Sequence, residues 1–360
     1  MILTIFTFLV LLSVLVLAHE WGHYFTAKKI GAKVEEFGLG FPPRIFAWKG
    51  KKGMLWSINW IPIGGFVRIK GESGEDRQDE NSFGYKSIPA RAIVLFAGVF
   101  MNLVLAAVLL SIGYLAGTPA VTEGEVSKFA SISDRAITIT QVLPDSPADL
   151  TGIEPGDEVV SINGVVYEYG EEARDALAVE DETKIVSMQV WRNGETLDLE
   201  LTPAYVEEIE RFGIGVAILE TGIVRYPIYI APVKGVETTV YFTKEIVVAF
   251  YNIIKGLVVG QGPGVEISGP VGIAVITGEV AQMGIIYLIQ FAAILSVNLA
   301  IINILPFPAL DGGRIAFLAY EAIRRKPASP KFEAIVHNIG FIILILLVVL
   351  VTYKDIIGLL

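Results

Sequence analysis

The chain has no cysteine among its 360 residues. Disulfides, thiolate nucleophiles and cysteine-ligated zinc are thereby excluded, and the redox compartment cannot be read. Histidine is scarce, with three in all, so any metal must be held by very few His, Asp and Glu side chains. Positive charge is also short. Lys and Arg number 28 against 38 Asp and Glu, a net charge of −10, which argues against nucleic acid as a partner. The apolar start lacks the basic n-region and small-residue cleavage site of a signal peptide.

What the chain has in excess is apolar residues, 53% of the total against roughly 45–50% in soluble domains. They lie in blocks. A membrane-spanning helix needs about 20 mostly apolar residues, and the stretches 2–27, 90–116, 285–305 and 334–351 qualify. The expected fold is a polytopic α-helical membrane protein of about four transmembrane helices. A β-rich, membrane-associated region lies on its cytoplasmic side, and an α/β domain is inserted on the other. The boundaries read as a first span at 1–27, a β-rich loop at 28–88 and a second span at 89–117. An α/β domain follows at 118–226, then an amphipathic connection at 227–282, with 233–257 as a helix lying on the membrane surface. A third span fills 283–313, and a short loop with the fourth span fills 314–360.

Charge sets the expected orientation. Residues 28–91 hold 12 Lys/Arg against 7 Asp/Glu, whereas residues 118–225 hold 7 against 22. Positive flanking loops mark the cytoplasmic side. The 28–91 loop is therefore expected in the cytoplasm, with the acidic domain and both termini outside, in a cell inner (plasma) membrane. Arg324, Arg325 and Lys326 agree.

Within the β-rich loop, Met54-Leu55-Trp56-Ser57-Ile58-Asn59-Trp60 and the run after it are rich in strand formers. Ile58, Ile61, Gly64 and Gly65 are candidates for a sheet edge that holds an unwound substrate by strand addition. The alternative is an aromatic anchor at the membrane interface. Residues 71–82 are rich in Gly, Ser and acids and read as mobile.

Chemistry concentrates in His19-Glu20-Trp21-Gly22-His23. On a helix, positions four apart share a face, so both imidazoles can reach one Zn²⁺ while Glu20 takes a proton from water. Ionisable groups in a span are costly and mark function. Two histidines are too few for a zinc site, and Asp311 is the candidate third ligand. It follows Asn303-Ile304-Leu305-Pro306-Phe307-Pro308-Ala309-Leu310, where two prolines break the third span. Irregular backbone at membrane depth is tolerated only inside protein or beside water, so this bend is expected to line a cavity. Both motifs fall at the same end of their spans. His337 reads as an interfacial histidine and Arg314 as a topology determinant. Gly260-Gln261-Gly262-Pro263-Gly264 reads as a flexible loop, because it lacks the Lys-Ser/Thr of a P-loop.

Two resemblances follow from these motifs. The order Ser146-Pro147-Ala148, Gly152-Ile153-Glu154-Pro155-Gly156-Asp157 and Ile162-Asn163-Gly164, the last a hairpin signal, resembles a PDZ domain, a module that binds peptides by strand addition. It has no evident carboxylate-binding loop of the usual type. Phe212-Gly213-Ile214-Gly215-Val216 reads as the end of that domain or the relic of a second one. The whole chain, through HExxH, NxxPxPxLDG and the inserted module, resembles the site-2 protease family of intramembrane zinc metalloproteases, nearest the bacterial regulator of sigma-E protease subgroup. Phe37-Gly38-Leu39-Gly40, Ile61-Pro62-Ile63-Gly64-Gly65-Phe66 and Ser268-Gly269-Pro270-Val271-Gly272-Ile273 extend the match. The resemblance implies Zn²⁺ on His19, His23 and Asp311, with Glu20 as general base. Asn303, helped by Asn298, would hold the substrate or the oxyanion. The implied partners are membrane-embedded proteins such as an anti-sigma factor or a signal-peptide remnant. A non-catalytic adaptor would not need Glu20, and a metal transporter would carry more polar residues across its spans.

Overall fold

A computed structural model describes residues 2–50, 53–72, 74–124, 127–178, 183–192, 194–206, 211–260 and 268–358. The chain forms two compact units, Tyr114–Ala231 and the remainder on either side of it. Among the described residues, four helices are long and apolar enough to cross a membrane. They are α1 (Ile2–Lys29), α2 (Ile88–Ala116), α7 (Ile285–Ile304) and α9 (Pro330–Gly358). This is a multi-pass membrane protein.

In the larger unit, α1 ends on Lys28 and Lys29, cations that suit the negative end of a helix dipole. Two long strands follow, β1 (Val34–Lys49) and β2 (Leu55–Ile69). Each folds back on itself, so the pair makes a sheet of four segments. Residues 34–39 of β1 pair with 65–69 of β2 on one side and 55–58 on the other, and 55–58 pair again with 46–49. Glu36, 1% exposed, sits inside this sheet. Arg44 Nε and Nη2 donate to it at 2.9 and 2.6 Å, and Ser57 Oγ at 2.7 Å. Burial raises its pKa, but these donors and the nearby Arg68 outweigh burial and hold it below the usual carboxylate range.

Tyr24 and Ala27 of α1, Val34, Phe37 and Ile69 of the sheet, Val94 and Leu95 of α2 and Leu318 share one apolar cluster. It welds the sheet to the helices. The described residues of the 71–82 run are held in place. Its Lys70–Asp79 ion pair, Arg77 on Glu321 Oε1 at 3.2 Å and Arg77 on the Ala328 carbonyl at 3.2 Å pin it down.

The connection 227–282 contains two helices, α5 (Ala231–Val259) and α6 (Pro270–Met283). α5 is not an isolated surface helix. Phe242, Ile246 and Phe250 pack on Ala106 and Leu110 of α2 and Val297 of α7. A Cβ on its Gly235 would come within 2.5 Å of the Ala107 carbonyl oxygen, the close backbone approach that small residues allow in membranes. α6 opens on the Ser268-Gly269-Pro270 motif. Its Gly269 and Gly272 N–H groups donate to Asp355 of α9 at 3.0 and 2.8 Å, satisfying donors left free at a helix start. Residues 261–264 of the glycine-rich run lie outside the described residues. The last helix before α9 is α8 (Asp311–Arg324).

The smaller unit is a six-stranded sheet ordered β3-β10-β4-β5-β6-β7 with two short helices. Its elements are β3 (Thr118–Val121), β4 (Ser131–Val142), α3 (Pro147–Leu150), β5 (Glu158–Ile162), α4 (Gly170–Leu177), β6 (Val186–Arg192), β7 (Glu195–Leu201) and β10 (Val216–Arg225). A separate ribbon joins β8 (Ala204–Val206) to β9 (Arg211–Gly213). Ser146 caps α3, accepting from the Asp149 N–H at 3.3 Å, with Pro147 in the first turn. The Asn163-Gly164 turn forms, both residues at positive φ, closed by an Ile162–Val165 bridge. It does not lead straight into a paired strand, because β6, the antiparallel partner of β5, begins only after α4. Ile139, Ile162, Met188, Val190 and Leu201 fill the core, each worth about 1.5–3 kcal/mol when fully buried.

Candidate active site

The HExxH segment lies within α1, so His19 and His23 project from one face. α2 runs beside it, and Val94, Gly98 and Asn102 are spaced by four, a single stripe of α2. This stripe meets the histidines. A Cβ on Gly98 would lie 2.4 Å from His23 Nε2 and 2.7 Å from His19 Cε1. A Cβ on Gly22 would lie 2.2 Å from the Ala97 carbonyl oxygen. Only glycines let the two helices approach this closely.

α7 stops at Ile304, Pro306 and Pro308 prevent its continuation, and Ala309 takes φ +82°. α8 then starts at Asp311, where a carboxylate is favoured by the helix dipole. Gly312 packs against the Leu305 carbonyl oxygen, 2.1 Å from where a Cβ would stand. The Ala309 N–H donates to His337 Nδ1 at 2.9 Å. His337 therefore steadies the bend rather than sitting free at an interface.

The result is a cluster of three potential ligands, His19, His23 and Asp311, whose donor atoms lie within 4.8 Å of one another. His19 Nε2 and His23 Nε2 are 3.0 and 3.2 Å from Asp311 Oδ2 and 3.0 Å from each other. The His23 proton can be placed. Its Nδ1 lies 2.8 Å from the Val94 carbonyl, which only accepts, so Nδ1 donates and Nε2 presents a lone pair. That lone pair faces the buried Asp311 Oδ2, which has no hydrogen-bond partner among the described residues. With the lone pair of Nε2 turned to a carboxylate oxygen, a cation between them is the partner that suits both. Zinc bonds of about 2.0–2.1 Å would set tetrahedral ligands about 3.3–3.4 Å apart, near the separations found. The donor set fits zinc.

Glu20 accepts from the Val67 N–H at 2.8 Å through Oε2, which ties the end of β2 to α1. The cleft here measures about 350 Å³ and is lined by His19, Glu20, His23, Gly65, Asn303 and Asp311, among others. Arg314 and Glu72 also line it, joined by an ion pair of 2.5 Å, so Arg314 is more than a topology determinant.

A model of peptidase family M50 matches residues 7–347. The chain belongs to peptidase family M50, the site-2 proteases. The zinc metalloprotease RasP of Oceanobacillus iheyensis is 31% identical over 438 aligned residues, covering 98% of this chain and 98% of its own. The zinc metalloprotease RasP of Geobacillus kaustophilus is 31% identical over 436, covering 98% and 97%. This M50 peptidase is a zinc metalloprotease with zinc as its cofactor and protein or peptide substrates.

Several of its sequence-derived site residues fall elsewhere than expected. Ile58 is not at an open edge, because it pairs with both Leu39 and Phe46. Ile61 pairs with Phe41. The segment beside the cleft is Gly65–Val67, with Gly64 at φ +73° against Val16. Asn298 is turned back on its own helix, its Nδ2 donating to the Ile294 carbonyl at 3.2 Å. Asn303 lines the cleft. Val67, Val94 and Gly98 were not identified from the sequence. Their signal was faint, since a backbone carbonyl, a backbone N–H and a glycine in an apolar run carry no chemical label.

Proposed function

We propose that this metalloprotease hydrolyses peptide bonds within the membrane-spanning segments of single-span proteins or of signal-peptide remnants, an anti-sigma factor being one such substrate. One observation carries the reading: His19, Glu20 and His23 lie on α1, a helix long and apolar enough to span a bilayer, and Asp311 joins them from just beyond the end of another, α7. The scissile bond must then come to them at membrane depth.

His19, His23 and Asp311 would hold the zinc. When bound, zinc supplies Lewis acidity, which acidifies water and polarises a carbonyl. The remaining work falls to the chain. Glu20, held through Oε2 by the Val67 N–H, keeps its other oxygen for the proton that it takes from the attacking water and returns to the leaving amine. Asn303 donates to the developing oxyanion, a role worth roughly 3–4 kcal/mol in other hydrolases.

A helical substrate must unwind first, because its carbonyls are already bonded. The 65–67 segment is suited to receive it. The Val67 N–H points away from β1, and the pleat places Gly65 on that same side. Strand addition there would replace the lost helix bonds.

The charge bias supports a cytoplasmic position for the 28–91 region in an inner membrane, and an extracytoplasmic position for the acidic unit. That unit acts as a PDZ-like peptide binder. β3 pairs with β10 only over Thr221–Val224, which leaves Val216–Leu219 open on that side. A cavity of about 590 Å³ lies there, lined by Arg174, Leu177, Arg211 and Gly213–Leu219. The Gly213-Ile214-Gly215-Val216 turn is the part of it that would take a carboxylate.

The test is cleavage of a single-span reporter by wild type and Glu20→Gln, with zinc measured in both. Glu20→Gln should retain zinc and lose cleavage. Cleavage that survives the substitution would refute the role of Glu20.

A further inference from the structure

His23 is fixed by a carbonyl that can only accept, and this leaves its Nε2 free for a metal. His19 has to meet the same requirement. Its Nε2 faces Asp311 and His23, so its proton must reside on Nδ1. The group facing that Nδ1 is Asn102 of α2, fully buried, with Nδ2 at 3.4 Å. As drawn, the amide nitrogen would donate to His19 Nδ1. That would force the ring proton onto Nε2 and block it. Meanwhile Asn102 Oδ1 is buried with no partner. The oxygen and nitrogen of a carboxamide have the same shape, and their assignment follows from the hydrogen bonds they make.

We propose that Asn102 is a positioning residue for the zinc site: its carboxamide turns its oxygen to His19, accepts the Nδ1–H and so holds His19 in the tautomer whose Nε2 binds metal. The orphaned acceptor then gains the donor it lacks. The backbone around it is anchored for this task. The Asn102 carbonyl accepts from Ser296 Oγ at 2.8 Å, and Ser296 is itself fully buried, so α7 fixes the roll of α2. Val94 and Asn102, two turns apart on α2, thus serve His23 and His19 in turn, with Gly98 between them giving the rings room. An amide oxygen does this without adding a third carboxylate beside Asp311 and Glu20. The inference rests on zinc being held by His19, His23 and Asp311.

The test uses the full chain in detergent. Zinc affinity is measured by competition with a chromogenic chelator for wild type, Asn102→Leu, Asn102→Asp and His19→Ala. The tautomer is read from ¹⁵N-histidine NMR, which three histidines make tractable. Asn102→Leu should weaken zinc binding about 10–100-fold and lose the Nδ1–H signature of His19. Asn102→Asp keeps an oxygen acceptor and should restore affinity to within a few-fold of wild type. A Leu variant that binds zinc as tightly as wild type, or an Asp variant as weak as the Leu variant, overturns the proposal. If His19→Ala keeps its zinc, the ligand set itself is wrong, and that outcome is separable from the other two.

Discussion

Replacing Gly98 by Ala adds one methyl group, and the structure says where it would go. The new Cβ would lie 2.4 Å from His23 Nε2, 2.6 Å from His23 Cε1 and 2.7 Å from His19 Cε1. Non-bonded heavy atoms settle at about 3.5–4.0 Å, so something must yield by about 1 Å. The helices cannot separate cheaply, because Gly22, next to His23, holds the α1 backbone against Ala97, next to Gly98. The rings would move instead. A metal site tolerates displacements of about 0.2 Å, so zinc affinity should fall by at least the 10–100-fold typical of disturbed supporting residues. The overpacked pair should also lose about 1–3 kcal/mol of stability. The assay is chelator competition on the purified protein, with thermal unfolding of the metal-free form beside it. Gly358→Ala is the control, since among the described residues outside its own turn no atom lies within 4 Å of its would-be Cβ. If Gly98→Ala binds zinc within threefold of wild type, the close approach of α1 and α2 described here is wrong.

Two further outcomes follow from the structure. Val67→Pro removes the N–H that holds Glu20, and a lost hydrogen bond to a charged group is worth about 1.5–3 kcal/mol. Cleavage should fall roughly 10–150-fold while bound zinc is unchanged; loss of zinc in this variant would refute the assignment. In the smaller unit, burial raises the pKa of Asp157, but hydrogen bonds from Arg192 and from the Glu154 N–H, with the guanidinium charge, outweigh burial and lower it. A depressed carboxyl pKa stabilises the fold above the ordinary value of 3.8 and loses that contribution as pH falls through the folded value. Hydrogen-exchange protection in the 131–201 region, taken relative to the intrinsic exchange rate at each pH, should therefore fall on acidification below about pH 4. Asp157→Asn should flatten that dependence, and an unchanged acid limb would refute it.

The legible parts of this protein were those whose signal is local. His19 and His23 share a face because residues four apart on any helix do. The spans show as apolar runs, the Pro306–Pro308 break follows from the missing N–H groups, and the Ser146 cap and Asn163-Gly164 turn follow from a few adjacent residues. Where the signal depended on a partner, the sequence misled. Ile58 has the composition of an edge strand, but pairing on both sides is a property of the folded-back hairpin. Asn298 has the chemistry of a site residue and bonds to its own helix. The 227–282 connection reads as amphipathic, and only packing reveals which helix covers it.

By itself, then, the sequence determined the number of candidate spans, the HExxH face, the broken third span and the chemistry of the three ligands. Tertiary structure alone decided that Asp311, 288 positions after His23 in the chain, arrives within 3.2 Å of its Nε2. It also decided that a glycine, a carbonyl and an amide on α2 shape the site around it. The physical reason is that helical periodicity is written into neighbouring residues. The approach of α1, α2 and α8 is set by packing among residues distant in the chain, and no short stretch of sequence encodes it.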